Sequence, residues 1–221
     1  MTANDQTYRI PGGRTGIILI HGTGGSPSDL HQIANGLSRA GYTVLCPHLP
    51  NHSSALSICE AGLSELHATC DTVIAGGLAT GAHLSLMLAA KNPNKVNGLA
   101  LLAPAVWPTN APWYARPFTS GLSREIRRCL PAINQPSLIV LSRNDEKASN
   151  TTACLQHNLT GTVEVLVLDA RHPQDLAIER TADFIDRVAR KITKPPQGVT
   201  LQLTPAKATP FWFPFFQAAA A

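Results

Sequence analysis

Val73-Ile74-Ala75-Gly76-Gly77-Leu78-Ala79-Thr80-Gly81-Ala82-His83 carries the pattern around which the rest of the chain is arranged. Its opening run, Val73 to Ala75, is short and apolar and begins with two β-branched residues, as suits a buried strand. A glycine-rich turn follows, and then a helix-period segment through Leu84, Leu86, Met87, Leu88 and Ala90. Strand, sharp turn and helix form the context of the Gly-x-Ser-x-Gly nucleophile elbow. Gly77 and Gly81 occupy its glycine positions, where two backbones pass too closely for a Cβ. The central position is Ala79, whose methyl group carries no lone pair. The frame of a reactive turn is present and its attacking atom is missing.

The composition describes what surrounds this turn. The chain has 221 residues, 44% of them hydrophobic and 14% charged, which suits one sizeable core. The net charge of +4 is diffuse. Arg124, Arg127 and Arg128 form the one tight basic cluster, without interleaved aromatics, so no nucleic-acid partner is expected. No apolar run reaches membrane-spanning length, and Met1 to Pro11 lacks a signal pattern. Five widely spaced cysteines (Cys46, Cys59, Cys70, Cys129, Cys154) argue for reduced thiols, hence a cytoplasmic location, and against a zinc site.

Outward from the elbow, strand and helix patterns alternate. Residues 1–15 form a polar lead-in. Gly16 to Ile20 is an unbroken apolar run that ends in His21-Gly22-Thr23-Gly24-Gly25-Ser26-Pro27. A helix is expected from Ser26-Pro27 to Gly41, and a strand at Thr43 to Cys46. A polar loop, His48 to Ser54, precedes a helix over Ala55 to about Cys70. After the elbow helix come strands at Val96–Ala103, Pro136–Leu141 and Val163–Leu168. Helices are expected near Arg124, over Lys147–His157 and over Pro173–Ile192. This rhythm predicts an α/β fold: a doubly wound, mostly parallel sheet of about six to seven strands flanked by helices, with a minimal cap. In such sheets ligands sit at the carboxyl ends of the strands. His21–Thr23, Ala79, Asp145 and His172 each follow a strand end, so they are expected to share one edge.

From about Gly16 to Ile192 the chain resembles the α/β-hydrolase family, in particular its small carboxylesterase and monoacylglycerol-lipase-like members. The resemblance rests on HGTGGSP, GLATG, LSRND and ARHPQD, in that order. It implies a catalytic set of Ala79 at the nucleophile position, Asp145 as the acid and His172 as the base. Glu146 stands as a second choice to Asp145, and Asp169 competes as a carboxylate near His172. The resemblance also implies an oxyanion hole from the amides of Thr23 and Thr80. His21 is expected to be structural, its ring bonded to backbone.

The remaining candidates concern the ligand. Trp107, Trp113 and Tyr114, in a flap over residues 104–136, are expected to line part of an apolar pocket together with Gly24. The implied ligand is a small ester or acyl molecule, with no cofactor and no metal. His48 and His52 make only a weak i, i+4 pair without a third ligand. Two readings of Ala79 stand: an inactivating Ser→Ala substitution in a serine hydrolase of carboxylic esters (a thioesterase being the alternative chemistry), or a natural non-catalytic protein that binds a small acyl ligand or a protein partner. The domain is expected to span 1–194. Residues 195–221 form a Pro/aromatic-rich tail in which Phe211 to Phe216 offers a surface for self-packing, a protein or a membrane. The oligomeric state stays open.

Overall fold

The computed structural model describes residues 6–50, 52–105, 125–169 and 173–191. Its strands are β1 (Tyr8–Ile10), β2 (Thr15–Ile20), β3 (Thr43–Cys46), β4 (Thr72–Leu78), β5 (Gly98–Leu102), β6 (Ser137–Ser142) and β7 (Val163–Leu168). Its main helices are α1 (His31–Arg39), α2 (His52–His67), α3 (Gly81–Lys91), α4 (Glu146–Asn158) and α5 (Pro173–Ala189). One seven-stranded sheet runs in the order β1-β3-β2-β4-β5-β6-β7. β2 to β7 are mutually parallel, and β1 alone is antiparallel.

The continuous apolar runs have a simple origin. Successive side chains on a strand point to opposite faces, and here both faces are covered. Ile18 and Ile20, Leu99 and Leu101, Ile139 and Leu141 pack under α2, α3 and α4. Ile17 and Leu19, Ala100 and Leu102, Leu138 and Val140 pack under α1 and α5. Burying each Leu or Ile side chain contributes about 1.5–3 kcal/mol. On the second face Gly36 of α1 lets α5 approach: a Cβ there would stand 2.7 Å from Ile178. Tyr42 pins the same helix, its hydroxyl 2.8 Å from the Ala182 carbonyl and 2.7 Å from an Asp186 oxygen.

Several boundaries differ from expectation. The polar lead-in contains β1, a three-residue strand paired with β3 and too short to show a pattern. Its Tyr8 ring meets His31 edge-on at 4.7 Å, and burial pushes the phenol above its ordinary range. β4 does not stop at Ala75. Gly76 and Gly77 pair with Leu19 and Ile20 on one side and with Ala100 and Leu101 on the other, so the strand runs on to Leu78. His52 opens α2 instead of ending a loop, which removes the premise of a loop-borne His48/His52 pair. The segment after Ser26 begins as a tight turn, Pro27–Leu30, before α1. The last helix ends at Ala189, short of Ile192. The five cysteines are free thiols, Cys46, Cys59 and Cys70 being buried.

Candidate active site

Backbone contact builds the elbow. A Cβ on Gly77 would collide with the Gly81 carbonyl, and one on Gly81 would collide with the Ile20 carbonyl. Two glycines therefore let β4, the first turn of α3 and the end of β2 cross at backbone distance. Between them Ala79 adopts φ +52°, the left-handed region that costs an L-residue about 1–2 kcal/mol. Its neighbours hold it there. The Ala79 amide donates to the Leu102 carbonyl at 2.9 Å, and its own carbonyl accepts from Ala82 at 3.2 Å and Ala105 at 3.1 Å.

The loop after β2 lies against this turn. His21 is 4% exposed, with Nδ1 2.9 Å from the Gly22 carbonyl and Nε2 accepting the Leu49 amide at 3.3 Å. The ring thus joins the loops after β2 and β3, the structural part expected of it. A Cβ on Gly22 would stand 3.6 Å from the Ala79 methyl, a measure of how closely the loops meet. Thr23 and Thr80 are both exposed. The Thr23 amide donates to Thr80 Oγ1 at 2.6 Å, and that hydroxyl donates on to Thr23 Oγ1 at 3.0 Å. Sequence reasoning assigned both residues through their amides and missed the part of this hydroxyl. Nothing in a 57-residue separation signals the contact.

Asp145 follows β6 and is half-buried. Its Oδ1 accepts the Ala148 amide at 2.9 Å and so caps α4, while its own amide donates to Ser142 at 3.0 Å. Only β5 separates β4 from β6, so the two strand ends lie about 10 Å apart by sheet spacing. Asp169 is engaged by Arg143 at 2.6 Å across the ends of β6 and β7. Ser85 bonds the Gly81 carbonyl at 3.2 Å inside α3, and Ser26 precedes its turn with its amide on Asp29 at 2.9 Å. Both serve local structure, and neither stands at position 79. Gly24 has φ +76° and open space where a Cβ would lie. His172, Trp107, Trp113, Tyr114 and the Phe211–Phe216 tail lie outside the described residues.

The sequence profile of the alpha/beta hydrolase family matches residues 17–218. The chain belongs to the alpha/beta hydrolase family. This hydrolase-family chain is 30% identical over 101 residues to the thermostable monoacylglycerol lipase of Bacillus sp. (strain H-257), a match that spans 40% of each chain. A structure of the metagenome-derived lipolytic enzymes LipS and LipT superposes with TM-score 0.76 at 20% identity, covering 84% of this chain and 98% of that one. Paleococcus ferrophilus monoacylglycerol lipase gives 0.70 at 12% identity, covering 83% and 99%. Such identities show a shared fold.

Among the described residues no three His, Cys, Asp or Glu side chains are grouped to hold a metal ion, and no helix is long and apolar enough to cross a membrane. A cavity of about 250 Å³ opens at the other end of the strands, beside Thr72, Asn97, Pro136 and Thr162. The Arg187–Glu164 ion pair at its wall, 2.5 and 2.7 Å, ties α5 to β7 and stands far from Ala79.

Proposed function

We propose that this hydrolase-family chain carries a serine-hydrolase site for small carboxylic esters in which Ala79 replaces the attacking residue. The observation that carries the reading is the left-handed backbone at Ala79, clamped between the glycine crossing and β5. Such strain persists only where its surroundings over-determine it, and it clusters at functional turns. A serine hydroxyl here would attack the ester carbonyl carbon while His172 takes its proton. Asp145 would hold the imidazole tautomer, and the His172 proton would pass to the departing alkoxide. The tetrahedral oxygen would be received by the amides of Thr80 and Thr23. With a methyl group at position 79, acyl transfer cannot begin, and the cleft can only bind.

Reversion tests this. Ala79→Ser is expected to give burst hydrolysis of a short acyl aryl ester and labelling by a fluorophosphonate, both abolished by adding His172→Ala. A folded revertant that is never labelled overturns the proposal. The second reading, a non-catalytic acyl-binding protein, gains from one feature: the Thr23 amide is already satisfied by Thr80. Under that reading the unaltered chain binds short carboxylic acids and the revertant stays inert.

A further inference from the structure

We propose that the Thr80 side chain is a specificity-determining occupant of the oxyanion hole, seated where an incoming carbonyl oxygen has to bind. The claim about reactivity rests on the ester-hydrolase reading above; the claim that Thr80 holds the Thr23 amide does not. Threonine at a helix N-cap ordinarily turns its hydroxyl onto an amide of the first turn. Thr80 stands at the N-cap of α3 with a helical backbone, φ −69° and ψ −17°, not the extended geometry of a capping residue, and makes no such bond. The His83 amide instead takes the Thr80 carbonyl at 3.1 Å. The hydroxyl is committed across the cleft, accepting the Thr23 amide at 2.6 Å and donating to Thr23 Oγ1 at 3.0 Å. Gly22 leaves it room, since a Cβ there would stand 3.3 Å from Thr80 Oγ1.

The chemical consequence is selective. A neutral ester carbonyl that displaces the hydroxyl exchanges one neutral hydrogen bond for another and gains nothing. An oxygen carrying full negative charge makes a bond roughly twice as strong and wins the amide. Thr80 therefore competes with the ester carbonyl for the Thr23 amide, and an oxygen that carries charge displaces it more readily than a neutral one.

Thr80→Val preserves shape and branching and removes the hydroxyl. In the Ala79→Ser background it is expected to raise the rate of fluorophosphonate labelling about five- to tenfold, the worth of one neutral hydrogen bond that no longer has to be broken. KM for a neutral aryl ester is expected to fall by a similar factor. Thr80→Ser, which restores the hydroxyl, is expected to reverse both changes. In the otherwise unaltered chain, hydrogen exchange at the Thr23 amide should be slow, about tenfold faster with Thr80→Val, and slow again with Thr80→Ser. An unchanged or reduced labelling rate in the valine variant overturns the reactivity claim, because the hydroxyl would then be neutral or helpful. Unchanged exchange at Thr23 overturns the claim that Thr80 holds its amide. If Ala79→Ser is never labelled, the ester-hydrolase reading fails, and the exchange experiment still decides whether Thr80 holds the Thr23 amide.

Discussion

The carbonyl of Ala79 accepts the amide of Ala105 at 3.1 Å, fastening the elbow to the first residues of the chain that leaves β5. Ala103, two residues earlier, also has a left-handed φ, +43°, and its amide donates to Val140 at 2.7 Å. Two strained turns on adjacent strands thus support one another. The elbow's shape is set by its neighbours and not by the residue at position 79.

That arrangement predicts the effect of Ala79→Gly. Glycine relieves about 1–2 kcal/mol of left-handed strain and gives back about 0.4–1 kcal/mol in unfolded-state entropy. Urea unfolding is expected to show a gain between zero and about 1.5 kcal/mol with an unchanged slope. A loss of stability would mean that the Ala79 methyl contributes more by packing than its backbone costs.

The glycines of the two loops should separate cleanly. Gly81→Ala drives a Cβ into the backbone carbonyls of Ile20 and His21, neither of which can rotate away. Its cost is expected to be at least about 3 kcal/mol, the upper part of the overpacking range. Gly24→Ala meets no atom within 4 Å and bears only the strain of φ +76°, about 1–2 kcal/mol. Denaturation midpoints of the two variants, measured side by side, check the ordering; equal losses would contradict the backbone crossing.

Buried thiols set an alkaline limit. Desolvation pushes Cys46 and Cys59 from 9.0 to about 12. The folded chain holds these protons more tightly than the unfolded chain, so their contribution is complete below pH 9. It is lost progressively as pH rises towards 12, because the unfolded thiols ionise first. Near pH ~10.5 the loss is roughly 2 kcal/mol per thiol. Urea midpoints are expected to fall steeply above pH 9, and Cys59→Ala is expected to flatten that slope whatever it does to stability at pH 8. Iodoacetamide applied to the native chain should modify the half-exposed Cys129 and Cys154 before the buried three.

What the chain discloses before folding follows from the range of each interaction. Gly16 to Ile20 and Pro136 to Leu141 read correctly because a strand covered on both faces must be apolar at every position. The close crossing at Gly77 and Gly81 was legible because glycine is the residue that tolerates a carbonyl at contact distance. β1 was illegible: Tyr8, Arg9 and Ile10 become a strand only when the Thr43–Cys46 edge offers them partners. Gly76 and Gly77 looked like a turn for the opposite reason, since their strand geometry comes from pairing on both sides. The Thr80–Thr23 bond depends on how two loops are set after the sheet has formed. Local composition carries no trace of that.

The helix-capping role of Asp145 and its proposed role as partner of His172 can be separated. As helix cap it needs only an acceptor oxygen for the Ala148 amide. As partner of His172 it needs a carboxylate, because asparagine can hold the imidazole in the wrong tautomer. Asparagine caps helices about as well as aspartate, whereas alanine costs about 1 kcal/mol. In the Ala79→Ser background, Asp145→Asn is therefore expected to leave the denaturation midpoint nearly unchanged and to lower kcat by up to about 10⁴. Asp145→Ala is expected to lose both stability and activity, and Asp145→Glu to recover part of the activity alone. If Asp145→Asn keeps the full rate of the revertant, Asp145 is a cap and nothing more, and the acid role passes to Glu146 or Asp169. Repeating the substitution at those two positions, with kcat and midpoint measured together, would identify which carboxylate faces His172.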